Sequence, residues 1–199
     1  MPSIRLAAAA DAAAIASIYA PYVAETPASF EIEPPTDSEI AQRVKDTLSS
    51  HAWVVYDEGG VVGGYAYATK HRARSAYQWS TEVSVYVAES FRRRRVGQAL
   101  YTSLFAVLAA QGFVNAYAGI TLPNAASVGL HESLGFEPIG VYRRIGFKLG
   151  AWHDVGWWQL ALAPYGAAPD PPRPLEDMNA PQLAESLERG LPLVRPPAI

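Results

Sequence analysis

The sequence predicts an α+β domain with a mixed, largely antiparallel sheet flanked by helices, and three observations carry that prediction. Strand-like and helix-like runs follow one another in the order β-α-α-β-β-β-α-β-α-β-β, a mixture with adjacent strands rather than strict alternation. Asp57-Glu58-Gly59-Gly60 separates two apolar runs, as the turn of a hairpin does. Glu82-Val83-Ser84-Val85-Tyr86-Val87 hands over to a glycine-containing turn and then to the start of a helix. With 199 residues, 50% of them hydrophobic, the chain has room for one domain with a sizeable core.

Each element has its own signal. Ile4-Arg5-Leu6 reads as a first strand, and Ile15, Ile18, Tyr19 and Tyr22 recur at helical spacing within a helix from about Ala10 to Val23. Thr36-Asp37-Ser38-Glu39 has the polar, acidic character of a helix start, continued by Ile40, Val44 and Leu48. Ala52 to Tyr56 and Val61 to Thr69 form the hairpin. His71 to Ser75 is a basic loop, and Gln78 to Val87 is the next strand. The helix-like run from Ala99 through Ala110 ends near Gln111-Gly112, where Gly112 suits a C-cap. Val114 to Thr121 is a strand ended by Leu122-Pro123-Asn124, and a helix from about Ala125 to Leu134 stops at Gly135. Phe136 to Val141 and Trp152 to Leu162 are the last strands, with Lys148-Leu149-Gly150 in their connection. Beyond Pro164, the prolines Pro169, Pro171, Pro172 and Pro174 exclude regular structure, and Asn179 to Arg189 alone has helical character. The expected division is a domain over 1–163 and a Pro-rich C-terminal arm over 164–199.

Composition removes several function classes. A formal charge of −3 argues against general nucleic-acid affinity. The absence of cysteine excludes disulfides, thiolate metal sites and a cysteine acyl-enzyme. His51, His71 and His153 lack metal-ligand spacing, so no metal is expected. No apolar run approaches ~20 residues, and Asp11 interrupts the alanine-rich start, so neither a membrane span nor a secretory leader is expected. The expected setting is cytoplasmic.

The most informative stretch is Arg92-Arg93-Arg94-Arg95-Val96-Gly97-Gln98-Ala99. A strand followed by a glycine turn and a helix start is an anion cradle, because the first helical N–H groups lack intrahelical partners and carry the positive end of the helix dipole. Gly97 permits close backbone approach, and the four arginines add donor forks suited to phosphate oxygens. No Gly-Lys-Ser/Thr follows and the three-glycine dinucleotide spacing is missing, so it is neither a P-loop nor a dinucleotide fingerprint.

Arg94-Arg95-Val96-Gly97-Gln98-Ala99 resembles the Arg/Gln-x-x-Gly-x-Gly/Ala pyrophosphate loop of the GNAT N-acetyltransferase superfamily. The segment from Asn124 to Phe136, with its Asn start, His131-Glu132 and Gly135-Phe136, is similar to another superfamily motif. Tyr77-Gln78-Trp79-Ser80-Thr81-Glu82 and Gly150-Ala151-Trp152-His153-Asp154-Val155-Gly156-Trp157-Trp158-Gln159 look like motifs of the phosphinothricin N-acetyltransferase family, and the likeness runs from about Ile4 to Leu162. The resemblance implies a GNAT-like fold and acetyl-CoA as acetyl donor. It implies diphosphate binding by Arg92, Arg93, Arg94, Arg95, Val96, Gly97, Gln98 and Ala99, and pantetheine pairing along Val85, Tyr86 and Val87. Asn124 would cap its helix and reach coenzyme A through its amide, with Ser127 beside it. A homodimer is also implied. The likeness does not extend to the Pro-rich arm, whose composition leads to the expectation that it is dispensable for chemistry and supports the dimer. Arg72 for lysine and Ser84 for threonine depart from the family, while Ser127 for alanine and His131 for tyrosine depart from the wider superfamily.

Acetylating an amine requires removal of an ammonium proton and departure of a thiolate. Glu82, in an apolar strand, is the candidate base, acting directly or through water. His131 is the second catalytic candidate, as proton donor to the thiolate or as the base that Glu82 orients. Arg72 and Arg74 offer forks for a carboxylate or phosphinate. Tyr77, Ser84 and Tyr86 offer hydroxyls, and Phe30 and Trp158 offer walls. The expected activity is acetylation of a small anionic amino acid, of phosphinothricin or methionine sulfoximine type, by direct attack in a ternary complex. Acetylation of a polyamine, aminoglycoside or protein N-terminus, or a non-catalytic acyl-CoA-binding module, are the alternatives.

Overall fold

Seven strands form one sheet: β1 (Pro2–Leu6), β2 (Trp53–Glu58), β3 (Val61–Lys70), β4 (Ser80–Val87), β5 (Asn115–Leu122), β6 (Glu137–Lys148) and β7 (Ala151–Ala161), in the spatial order β1-β2-β3-β4-β5-β7-β6. Five helices accompany them: α1 (Ala12–Glu25), α2 (Asp37–Leu48), α3 (Val96–Gln111), α4 (Ala125–Ser133) and α5 (Ala180–Glu188). These come from a computed structural model that describes residues 1–197. Every strand pairing is antiparallel except β4 with β5, which α3 connects as a crossover.

The period-2 alternation of the central strands assigns residues to two cores. Val54 and Tyr56 of β2 and Ala66 and Ala68 of β3 face Leu100, Leu104 and Leu108 of α3. Trp53, Val55 and Tyr65 face Ile15, Tyr19, Ile40 and Val44 of α1 and α2. Leu100, Leu104 and Leu108 are fully buried, each contributing about 1.5–3 kcal/mol relative to exposure. Helix α2 begins as its sequence predicts, with a reciprocal capping box between Thr36 and Glu39.

Three boundaries differ from expectation for identifiable reasons. Helix α3 starts at Val96 rather than Ala99, because Gly97 falls in the first turn, where backbone N–H groups need no intrahelical partner. A 3-10 turn over Ser75–Tyr77 delays β4 to Ser80. Strand β6 continues past Val141 to Lys148; register shifts at Pro138/Gly140 and Tyr142/Gly146 break the alternation that would have revealed it. Leu149 and Gly150, with φ of 51° and 76°, then form a two-residue hairpin turn.

The segment from Pro164 packs against α3. Arg173 exchanges backbone and side-chain hydrogen bonds with Gln111, and the Trp79 indole donates to the Asp170 carbonyl. Leu175 and Met178 are buried in the α3-side core. Ser103 in α3 donates to the Leu187 carbonyl and accepts from the Gly190 N–H, and a Cβ at Gly190 would collide with the Ala99 carbonyl. The chain thus returns along α3 from its C-terminal end to its N-terminal end. Residues 198 and 199 of the expected arm lie outside the described residues.

Candidate active site

Strands β4 and β5 pair over three rungs only, from Ser80↔Asn115 to Glu82↔Tyr117, and then part. Beyond Glu82 the β5-facing edge of β4 has no strand partner. The parting opens a cavity of about 770 Å³ between Val83–Val87 on one side and Ala118–Thr121 on the other. The N-terminus of α3 forms one end. Arg95 has a left-handed φ of 61°, and its carbonyl accepts the first backbone bond of the helix, from the Ala99 N–H at 2.9 Å. Among the described residues no protein acceptor meets the N–H groups of Val96, Gly97 or Gln98, and no side chain caps the helix.

Arg92, Arg93 and Arg95 line the cavity with Val96, Gly97 and Gln98, as their sequence position suggests. Arg94 does not. Left-handed turns at Arg93 and Arg95 direct the intervening side chain inward, where it is 8% exposed. Its guanidinium donates to both Glu58 carboxylate oxygens at 3.0 and 2.7 Å and, through Nε, to the Arg195 carbonyl at 3.1 Å. Arg94 therefore anchors the loop to β2 and to the C-terminal segment instead of presenting charge to a phosphate. Ala99 is likewise excluded from ligand contact: it is fully buried and its N–H is already bonded within the helix. Tyr22 of α1, expected only as a helix-face residue, lies on the cavity wall. Its hydroxyl donates to the Val87 carbonyl at 2.9 Å, and Arg92 sits over its ring.

Asn124, Ser127 and His131 form the wall contributed by α4. The Asn124 side-chain oxygen accepts from the Ser127 N–H at 3.1 Å, leaving its NH₂ group for a ligand. His131 has no such spare donor. Its Nδ1 lies 2.8 Å from the Ser127 carbonyl, so that nitrogen carries the hydrogen, and Nε2 accepts from the Tyr101 hydroxyl at 3.1 Å. Burial holds the imidazole pKa below its usual value, against the opposing effect of the Ser127 carbonyl. A neutral His131 with both nitrogens engaged cannot be the free proton donor expected from sequence. His131→Phe should therefore retain turnover within a few-fold. Stranding the buried Tyr101 hydroxyl costs about 1–3 kcal/mol, which calorimetry should register as a melting temperature roughly 2–10 °C lower. A large fall in turnover in a folded variant would restore a chemical role.

Glu82 sits at the last paired rung before the strands part. The burial expected of it is incomplete: its side chain is 33% exposed. Its Oε1 lies 3.0 Å from His71 Nδ1 and 3.8 Å from Arg72 Nη1. Arg74 and Tyr77 are exposed on the same loop, with Tyr77 edge-on to the His71 ring. Ser84 and Tyr86 line the cavity on the α1 side, Tyr86 within an aromatic cluster of Tyr19, Tyr22 and Tyr65. Phe30 does not line the cavity; it covers Gly146 and tilts toward His153. Trp158 is no substrate wall either, because it faces the α3-side core and donates to Glu132. The neighbouring Trp157 approaches His71 instead, and Gly119 packs against its ring. Adjacent tryptophans on one strand must face opposite sides, but the sequence does not say which faces inward. His71, Tyr117 and Trp157 are the site residues that sequence reasoning missed.

The arrangement suits a ligand with a diphosphate at the α3 N-terminus and an extended amide-bearing arm along the open β4 edge. An acetyltransferase (GNAT) domain family matches residues 4–157. The chain is 42% identical over 176 residues to a phosphinothricin N-acetyltransferase of Streptomyces viridochromogenes, covering 88% of this chain and 94% of that protein. It is 37% identical over 170 residues to an L-methionine sulfoximine/L-methionine sulfone acetyltransferase of Pseudomonas aeruginosa, covering 84% and 98% respectively. Among solved structures, a GNAT superfamily phosphinothricin acetyltransferase of Sinorhizobium meliloti in complex with acetyl-CoA superposes with a TM-score of 0.79 at 37% identity, covering 85% of this chain and 92% of that one.

Proposed function

This chain belongs to the GNAT acetyltransferases and is an acetyl-CoA-dependent N-acetyltransferase, and from that premise we propose that it acetylates the amine of a small anionic amino acid of phosphinothricin or methionine sulfoximine type. The parting of β4 and β5 immediately after Glu82 carries this reading, since it leaves a carboxylate one residue before Val83, where the wall of the cavity that fits the donor begins. Bound there, the donor supplies an activated acyl thioester. The N–H groups of Val96, Gly97 and Gln98, with Arg92, Arg93 and Arg95, hold its diphosphate. The unpaired edge from Val85 to Val87 and the Asn124 NH₂ hold its amide-bearing arm.

Glu82 is the base: a carboxylate oxygen takes one proton from the substrate ammonium, freeing the nitrogen lone pair for direct attack. A thiol ionises near ~8.5 in water, so the departing thiolate needs no strong acid. This suits a site in which His131 is neutral with both ring nitrogens bonded. Arg72 beside Glu82, with Arg74 exposed on the same loop, supplies positive charge for a carboxylate or phosphinate and repels a polycation. The setting we assign is cytoplasmic, where acetyl-CoA is drawn upon; among the described residues no helix is long and apolar enough to cross a membrane. Thiol release from acetyl-CoA should be measured against amino acids, sulfoximines, phosphinothricin, polyamines and peptides. Turnover confined to the anionic amino acids and their analogues is the expected result. Preference for spermidine or an aminoglycoside would overturn the substrate assignment.

We also assign a homodimer, formed through β6 rather than through residues 164–199, whose described part is committed to α3. Strand β6 is an edge of the sheet, and Ile139, Val141, Ile145 and Phe147 on it, with Trp152 on β7, are exposed. An exposed apolar edge strand is self-complementary about a two-fold axis and is a liability when left bare. Phe147→Asp should convert a dimer to a monomer in light scattering. A variant of unchanged mass would remove this surface from the assembly.

A further inference from the structure

The base assigned above has an unassigned partner. His71, one residue past the end of β3, places Nδ1 3.0 Å from Glu82 Oε1. It is the more enclosed of the two, with its side chain 13% exposed against 33% for Glu82. Tyr117, which pairs with Glu82 across the last rung of β4 and β5, stacks on the imidazole at 4.5 Å with an interplanar angle of 14°. Tyr77 and Trp157 close two further sides with edge contacts at 6.1 and 6.2 Å. Three aromatic rings from three separate elements thus orient one imidazole toward one carboxylate oxygen. Among the described residues, no protein group other than Glu82 bonds the His71 ring nitrogens.

We propose that His71 is the positioning residue of the general base, its Nδ1–H holding Glu82 Oε1 so that Oε2 is presented to the substrate ammonium. The inference rests on the base reading of Glu82. In the step it supports, one N–H bond of the ammonium breaks and one O–H bond forms at Oε2. The ammonium and the carboxylate both become neutral, and the His71 proton does not move. The arrangement is the orienting half of a catalytic triad, turned so that the histidine steers the carboxylate.

The charged and titratable groups facing the pair are few. Arg72 and Tyr77 come from the loop, with Arg72 Nη1 3.8 Å from Oε1. Tyr67 comes from β3 and Tyr117 from β5, while β7 offers the neutral Trp157. Burial pushes the Tyr67 and Tyr117 hydroxyls up, so both stay neutral at ordinary pH. Among the described residues, Arg72 is therefore the one fixed charge in contact with the pair.

His71→Phe keeps the stack on Tyr117 and removes the N–H; His71→Asn restores a donor at the Nδ1 position. The phenylalanine variant should lose about 10- to 100-fold in kcat/KM for the amine, the weight of a hydrogen bond to a charged group. Acetyl-CoA affinity and melting temperature should be unchanged. His71→Asn should recover much of the rate, a rescue that a merely structural role would not give. A phenylalanine variant with unchanged rate would overturn the proposal, as would an asparagine variant no better than phenylalanine. Glu82→Gln in the same assay separates the two readings. Activity retained there removes the base itself, whereas activity lost there beside a silent His71→Phe removes only the positioning role.

Discussion

Glu82→Gln lowers turnover about 100- to 10,000-fold, the weight of a general base, and leaves acetyl-CoA affinity nearly unchanged. The glutamine matches the carboxylate in shape and can still accept from His71 Nδ1, which lies 3.0 Å away in the native pair. It cannot take up the ammonium proton. Glu82 does not line the donor cavity, which begins at Val83, so the cofactor loses no contact. The residual rate then depends on amine already deprotonated in solution. Thiol release, with calorimetry of acetyl-CoA, tests both halves. Turnover close to wild type would sink the assignment of Glu82.

Gly97→Trp abolishes tight donor binding while the fold survives. A Cβ at Gly97 would meet Leu130 at 3.4 Å, Val87 at 3.5 Å and Val85 at 3.8 Å, which is ordinary contact, so the first carbon of a side chain is accommodated. The indole beyond it has only the cavity to enter, and there it covers the uncapped N–H groups of α3. Losing one or two charge-assisted hydrogen bonds at about 1.5–3 kcal/mol each weakens acetyl-CoA by about 10- to 10,000-fold. Gly97→Ala is the matching control: the methyl fits and alanine favours the helix, so affinity should stay within a few-fold. Calorimetric titration of both variants, with melting curves to establish folding, distinguishes a filled cradle from a broken one. Undiminished affinity in a folded tryptophan variant would remove the α3 N-terminus from the site.

The legible and illegible parts of the site differ in the range of the interactions behind them. The cradle could be read because strand, turn, Gly97 and helix start are consecutive, and the free N–H groups follow from helix geometry alone. Asn124 could be read as a cap for the same reason, its partner being the Ser127 N–H three residues on. Arg94 turns away from the cavity because its partners are Glu58 and Arg195, 36 and 101 residues away, beyond the reach of any local pattern. His71 is illegible because a basic loop does not announce that the β3–β4 register will bring it to Glu82. His131 stands where its motif placed it, but only packing against Tyr101 disclosed that its nitrogens are occupied.

Local physics thus settled a great deal from the chain alone: the helix faces, the start of α2 at Thr36–Glu39, the Asp57–Gly60 turn, and the anion cradle after β4. Their causes lie within a few residues, in side-chain periodicity, backbone torsion and unsatisfied N–H groups. Tertiary structure decided which of two adjacent tryptophans faces Glu82, which of four arginines turns inward, how far β6 runs, and that residues 164–197 return along α3. Each of those outcomes depends on strand register or on a docking contact between distant segments. A one-residue slip in register exchanges the two faces of a strand without altering the sequence, so the chain's local pattern cannot state it.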